Sequence, residues 1–413
     1  MEVVVIGNGV AGETVCAAIR RRTNEIGLTL ISEEPFALYS RCVLSHYISK
    51  EIKRSEIFLK SPRDYEKENI HSILGRKVER IDPSGKRLFF QDQEVTYDKL
   101  ILATGARPIV PSIDGIQKKG IRVFKSLKDA DRILRVKGRK VVVIGSGLIG
   151  VQLAIALCKT GWKVCLVEVL DWILPNLFDE KASSIVQRIL EGKGIEVFTG
   201  TKVLGIEGKV RVDGIVTDKT GELDADMVVL AVGMRPNVDI AQEAGIKIGE
   251  LGGILTNDRM ETNIPDIFAC GDCVEGEDPL LSSPKLSLLW PQAKRQGHVA
   301  ASNSIGGDCS IHWTPDAVTL DVFGTFAGAI GLPARMMRRS DVEIIEAEKS
   351  QCYHSLVILN GRLAGAQFIG NHEGMGIFFS LIGRDCEGIF KKVRHDEDLV
   401  QYPWYYSINH FLT

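Results

Sequence analysis

The chain opens on an apolar run, Val3-Val4-Val5-Ile6, which is broken by Gly7-Asn8-Gly9-Val10-Ala11-Gly12. Apolar positions at helical spacing follow through Ala17, Ala18 and Ile19. A β-branched run, a glycine-rich break and a helical period predict strand, tight turn and helix. The succession returns at Val141-Val142-Val143-Ile144-Gly145-Ser146-Gly147-Leu148-Ile149-Gly150, and its helix is expected to run on through 151–157. Each copy is followed by a second apolar run, at 28–31 and 162–167. The first run closes on Glu33-Glu34 and the second on Glu168. Strands alternating with helices predict an α/β chain with parallel sheets. Residues 76–102 read as short strands with turns, Asp82-Pro83-Ser84-Gly85 the clearest, and end on Lys99-Leu100-Ile101-Leu102. From about residue 312 the pattern changes. Strands are expected at 318–322 and 355–359, a hairpin turn at Asn360-Gly361 and a buried helix at 377–382.

The two glycine patterns are G-x-G-x-x-G. The first glycine permits the turn, the second lets a pyrophosphate approach the backbone, and the third lets helix pack on strand. The amides at the helix N-terminus then face the phosphate charge. Gly7, Gly9 and Gly12 are the phosphate-binding candidates of the first copy, and Gly145, Gly147 and Gly150 those of the second. One fingerprint is a weak signal; two at one-domain spacing predict two bound dinucleotides. An acid about twenty residues beyond the glycines holds an adenosine ribose through its hydroxyls. Glu34 is the candidate in the first copy, with Glu33 in reserve, and Glu168 in the second. Val169, not a cation, follows Glu168, which predicts NADH over NADPH.

Composition narrows the rest. A chain of 413 residues is too long for one ordinary core and predicts two or three domains. With 45% hydrophobic and 25% charged residues it reads as a soluble globular protein, expected in the cytoplasm. A net charge of −2 without a Lys/Arg block gives no sign of nucleic-acid binding. Nine cysteines without framework spacing favour a reducing compartment, and no cysteine run suits an iron–sulfur cluster or other metal within the chain. The apolar start lacks a basic leader segment and carries Glu2, so the glycines explain it better than a signal peptide does. Residues 141–158 carry no charge, but three glycines, Ser146 and Gln152 argue for a buried strand and helix rather than a membrane span.

Further motifs are specific to a family. Pro35-Phe36-Ala37-Leu38-Tyr39-Ser40-Arg41-Cys42-Val43-Leu44-Ser45-His46-Tyr47-Ile48, Ala103-Thr104-Gly105-Ala106-Arg107-Pro108, Ile173-Leu174-Pro175, Ala231-Val232-Gly233-Met234-Arg235-Pro236 and Thr262 to Asp272 resemble the pyridine nucleotide–disulfide oxidoreductase superfamily. The likeness is to the FAD-dependent reductases of rubredoxin and ferredoxins and to the flavin module of nitrite reductase. It is strong through residue 311 and loose after that. The resemblance implies two Rossmann-like domains plus a C-terminal α+β interface domain. Residues 1–111 and 237–311 would hold FAD, 112–236 would hold NAD, and 312–413 would form the interface domain. It adds Val10, Ala11, Arg41, Ala103, Thr104, Gly105, Asp272 and Ala293 to the expected FAD contacts, with Asp272 on the ribityl chain. The helix from Trp290 would face the flavin's pyrimidine edge. Leu148, Ile149 and Gly233 join the expected NAD contacts, the first two beside the nicotinamide.

Three departures from the family pattern stand out. Gln152 replaces a usual glutamate and His46 a usual lysine. Cys42 stands where ferredoxin reductases have proline or an aliphatic residue, and where NADH oxidases, peroxidases and CoA-disulfide reductases have their redox cysteine. It is therefore either a catalytic thiol or a packing residue. Cys270-Gly271-Asp272-Cys273 is formally C-x-x-C, but flanks the flavin-binding aspartate and reads as packing, as does Cys16. The aromatics at 402–406 and Phe411 read as domain packing. The expected activity is transfer of hydride between NADH and FAD, and of single electrons between FAD and an iron–sulfur or rubredoxin-type partner. The chain could serve as the flavin subunit of a complex or as an oligomer. The alternatives are an oxidase, peroxidase or CoA-disulfide reductase using Cys42, and a flavin-bearing protein whose redox state selects its partners.

Overall fold

The computed structural model describes residues 1–91, 93–312, 314–337, 342–349 and 352–385. Two compact units emerge. The first comprises Met1–Val43, Ile52–Arg107 and Met234–Thr314; the second comprises Leu44–Glu51, Pro108–Gly233 and the described residues from Pro315 onward. The interval 112–236 and the described residues of 312–413 thus fall largely within one unit, and the eight residues Leu44–Glu51 belong with them. The aromatics at 402–406 and Phe411 lie outside the described residues.

The first unit is built on a five-stranded parallel sheet ordered Ile267–Ala269, Lys99–Leu102, Glu2–Ile6, Gly27–Ser32 and His71–Leu74. A parallel sheet is covered on both faces, so its central strand is apolar at every position rather than at alternate ones. Val3 and Val5 face a core shared with Val15, Ile19 and Ala300 of the helices Val10–Arg22 and Trp290–Ser304. Val4 and Ile6 face a second core with Leu88 and Phe90 of a small antiparallel sheet. The turn expected at residues 82–85 forms there, with the Ser84 hydroxyl and the Gly85 amide donating to Asp82.

The second unit repeats the plan. Its parallel sheet is ordered Ile195–Phe198, Lys163–Val167, Lys140–Ile144, Met227–Leu230 and Ile121–Val123. The helix Leu148–Lys159 follows the second glycine turn. A five-stranded antiparallel sheet completes the unit, ordered Ala317–Val322, Thr325–Gly331, Arg362–Ile369, Cys352–Leu359 and Val342–Lys349. The helix Met375–Leu381 packs on it through Phe378 and Leu381. Asn360 and Gly361 both take positive φ, 53° and 75°, as a two-residue hairpin turn requires.

Asp179 fastens this antiparallel sheet to the nucleotide fold of the same unit. Its carboxylate accepts from Gln367 Nε2 at 2.5 Å and from the amides of Ala334 and Arg335 at 3.1 and 3.3 Å. Its own amide donates to Gln367 Oε1 at 3.1 Å. Gln367 is 1% exposed, so water cannot replace a lost partner. Asp179→Ala is therefore expected to destabilise the protein by about 3 kcal/mol, and Asp179→Asn by clearly less. Thermal unfolding checks this; an unshifted melting temperature in Asp179→Ala would refute the contact's importance.

Candidate active site: two dinucleotide cradles

In the first unit the chain leaves Ile6 at Gly7, whose φ of 116° only glycine adopts comfortably. A Cβ on Gly7 would overlap the Ala103 carbonyl oxygen, and one on Gly12 would overlap the Gly7 carbonyl oxygen. These two glycines are needed by the protein's own packing. Gly9 differs: its Cβ would meet only Arg41 Nη1, at 3.5 Å. Gly9 caps the helix Val10–Arg22 without a side chain, so the first-turn amides keep no local acceptor from the cap. Open space beside free helical amides is the shape that a pyrophosphate needs.

Glu34 lies at the end of the second strand and is half-buried. Its carboxylate accepts from Tyr39 Oη at 2.7 Å and from Arg41 Nη2 at 2.9 Å. Glu33 is exposed. The Arg41 guanidinium lies 5.0 Å from the Tyr39 ring centre, and its Nε is buried without a hydrogen-bond partner. Burial works against its charge, but Tyr39 and Glu34 more than restore it, and the guanidinium is held above its ordinary pKa. An orphaned guanidinium donor beside the open glycine fits an anionic group such as the diphosphate of FAD. Ala11, Gly271 and Ala293 meet: a Cβ on Gly271 would lie 2.8 Å from Ala11 Cβ and 3.8 Å from Ala293 Cβ. Thr104 and Asn237 exchange side-chain and backbone hydrogen bonds at 2.6 and 2.9 Å, and Gly105 stands open at φ 69°.

Cys42 sits in one turn of 3-10 helix, Arg41–Val43, and is exposed. Partial desolvation pushes its thiol up; Asp272 adds to this, and Ser40 and Arg41 only partly offset it. The neighbouring cation, Arg41, is already paired with Glu34. Cys270 and Cys273 are fully buried, and burial raises both thiols. Cys16 is pushed up to about 12 by burial, with Glu13 adding to it.

The second unit reproduces the turn. Gly145 takes φ 99°, Cβ atoms on Gly145 and Gly150 would run into the Ala231 and Gly145 carbonyls, and nothing lies within 4 Å of the Gly147 position. Leu148 is half-buried and Ile149 is 36% exposed at the helix start. Gly233, at φ 117°, meets only Ile109 Cδ1. Glu168 is buried, with Oε2 accepting from the Ser146 amide at 2.8 Å and its hydroxyl at 2.7 Å, and Oε1 from the Leu170 amide at 2.9 Å. Val169 beside it is exposed.

The profile of the pyridine nucleotide-disulphide oxidoreductase family matches residues 1–297. The chain belongs to this family. It is an NAD(P)H-dependent flavin oxidoreductase, with FAD and NAD(H) as its cofactors. Among proteins of the family, an NADH oxidase of Methanocaldococcus jannaschii is 32% identical over 96% of this chain and 93% of its own. The structure of an NAD-dependent persulfide reductase from A. fulgidus superposes with a TM-score of 0.89 at 28% identity, over 94% of this chain and 78% of that one. That of an NADH:rubredoxin oxidoreductase from Clostridium acetobutylicum gives 0.75 at 26% identity, over 92% and 93%. Among the described residues, no helix is long and apolar enough to cross a membrane.

Two of the departures noted in the sequence, His46 and Gln152, line one shallow, open pocket of this oxidoreductase that also takes in Glu51, Lys159 and Asp321. His46 Nδ1 meets Glu51 Oε2 at 2.5 Å, and Lys159 Nζ donates to Glu51 Oε1 at 2.7 Å. These bonds, from Lys159 and then His46, hold the Glu51 carboxyl down at about 2. A depressed carboxyl stabilises the fold above its unfolded value, here 4.5, and loses that contribution as pH falls toward the folded one. Hydrogen exchange at residues 44–51 should therefore lose protection between pH 5 and pH 3, after correction for intrinsic rates. Equal protection at both values would mean that Glu51 does not tie this segment down.

Proposed function

We propose that the chain is an NADH-dependent FAD oxidoreductase that exchanges single electrons with an iron–sulfur or rubredoxin-type protein, alone or as the flavin subunit of a larger redox complex. The geometry beside Cys42 carries this reading, since the adjacent Arg41 guanidinium is paired with Glu34 at 2.9 Å. A redox cysteine works as a thiolate, and its surroundings normally favour one. Here desolvation and Asp272 disfavour the thiolate, and the adjacent guanidinium is committed to Glu34. The rubredoxin reductase named above supports the choice of partner.

On this reading the intervals 1–111 and 237–311 form the FAD domain, 112–236 the NAD domain and 312–413 the interface domain. The Gly9 turn and Arg41 hold the FAD diphosphate, Glu34 its ribose, and Asp272 its ribityl chain. The Gly147 turn holds the diphosphate of NADH, Glu168 its adenosine ribose, and Leu148 and Ile149 shield the nicotinamide from water. Bound FAD supplies the conversion between a two-electron hydride and one-electron centres.

A second reading, reduction of a persulfide, disulfide or peroxide through Cys42, is favoured by the exposure of that residue and by the persulfide reductase and NADH oxidase among the relatives. An anaerobic NADH titration followed by absorbance separates the two. Reduction complete at two electrons per FAD, unchanged in Cys42→Ser, is expected. Uptake of four electrons, with a long-wavelength absorbance that disappears in Cys42→Ser, would overturn the proposal in favour of the thiol.

A further inference from the structure

The two halves of the chain restrain their acids by different chemistry. Glu34 is neutralised by Arg41. Glu168 has no cationic partner among the described residues; its three donors are two backbone amides and the Ser146 hydroxyl. Asn8, the counterpart of Ser146 in the first glycine turn, does not reach Glu33 or Glu34. Its side-chain Nδ2 instead donates to the Phe36 carbonyl at 3.1 Å, and its Oδ1 accepts from Tyr65 Oη at 2.9 Å. Ser146 is thus a feature of the second half alone.

Every polar group of Ser146 is used. Its amide and hydroxyl converge on Glu168 Oε2, and its carbonyl accepts from the Leu174 amide at 2.9 Å. Leu174 takes φ 50°, a conformation that a bulky side chain rarely adopts. Ser146 is 0% exposed, so no water competes for these bonds. The glycine turn, the acid at the strand end and the Ile173-Leu174-Pro175 segment therefore meet on one serine. A carboxylate with both oxygens restrained cannot swing aside from a group brought to it.

We propose that Ser146 is the positioning residue that sets dinucleotide choice: it holds the Glu168 carboxylate where it accepts a ribose 2′-hydroxyl and repels a 2′-phosphate. This rests on Glu168 being the ribose acid. A ligand with an unphosphorylated adenosine ribose gains a hydrogen bond to an oriented acceptor, and a 2′-phosphorylated one meets an unneutralised charge that cannot turn away.

The test is competitive inhibition of the FAD-loaded enzyme by ADP-ribose, by 2′-phospho-ADP-ribose and by nicotinamide mononucleotide. The wild type should favour ADP-ribose over its 2′-phosphate. In Ser146→Ala and Ser146→Gly, ADP-ribose should weaken about fivefold and the preference should narrow by a similar factor. Inhibition by nicotinamide mononucleotide should not change, and KM for NADH should rise more than kcat falls. Equal weakening of all three inhibitors would mean that Ser146 merely supports the fold, and overturns the proposal. An unchanged preference in both serine variants, with the preference lost in Glu168→Gln, would overturn the role of Ser146 and leave the ribose acid standing. A preference that survives Glu168→Gln would remove the ribose assignment itself, and this proposal with it.

Discussion

Replacing Gly150 with alanine should destabilise its own half of the chain and abolish NADH binding, whereas Gly147→Ala, three residues away, should impair binding and leave the fold intact. At Gly150 a Cβ would overlap the Gly145 carbonyl oxygen and press on Ala231 Cβ at 3.3 Å. Neither can retreat easily, because the Gly145 amide donates to the Val167 carbonyl at 2.8 Å and the Ala231 amide to the Ile144 carbonyl at 2.8 Å. Both bonds tie the turn to the central sheet. Overpacking against fixed backbone costs about 3 kcal/mol or more. At Gly147 the backbone is extended at φ −65° and nothing lies within 4 Å of the added carbon. Alanine there should leave the melting temperature within about a degree. Its methyl would nevertheless occupy the space through which, on the proposed assignment, a diphosphate reaches the helix amides, and KM for NADH should rise about tenfold or more. Circular dichroism and steady-state kinetics on the two variants decide it. A Gly147→Ala enzyme with an unchanged KM would show that this opening is not the phosphate site. Gly12 and Gly9 should divide in the same way, with FAD retention through gel filtration as the readout.

That division of labour among glycines was legible in the sequence because the fingerprint is local. Strand, turn and helix are adjacent in the chain, and a sheet buried on both faces writes itself as an unbroken apolar run. The same locality made the Asn360-Gly361 hairpin readable, whereas the helix from Trp290, which forms over Trp290–Ser304, was expected from the family resemblance. Features that depend on distant partners were not readable. Asp179 looks like an ordinary residue before a helix, and only the folded chain brings Gln367 to it across 188 positions. Ser146 reads as a turn residue between glycines; its grip on Glu168 depends on the register that sets the strands Lys140–Ile144 and Lys163–Val167 side by side. The Ile173-Leu174-Pro175 segment was recognisable as a family pattern, yet its physical role, an amide delivered to the Ser146 carbonyl, needed the left-handed turn at Leu174. His46 and Gln152 were each visible as departures, but their common pocket was not, since helical segments far apart in sequence supply them.

The largest change in specificity is expected from Glu168→Ser combined with Val169→Arg, which should turn the enzyme toward NADPH. On the proposed assignment of Glu168, a 2′-phosphate would have to approach a buried carboxylate that three donors hold in place. Two like charges about 4 Å apart repel by about 4 kcal/mol at the effective dielectric of a protein surface. Serine removes that repulsion and frees the Ser146 hydroxyl, the Ser146 amide and the Leu170 amide to donate to phosphate oxygens. Val169 is 61% exposed, so an arginine can be carried there without repacking the sheet, and its guanidinium supplies a bidentate partner for the phosphate. Together these changes should move the ratio of kcat/KM for NADH over NADPH by about a thousandfold, equivalent to about 4 kcal/mol. Val169→Arg alone leaves the carboxylate in place and should move it only about tenfold. The order of the two effects is the diagnostic part. If the single arginine accomplished as much as the pair, the carboxylate would not be what excludes NADPH. If the pair left the ratio unchanged, the adenosine ribose would lie elsewhere, and the end of the strand Lys163–Val167 would be structural only.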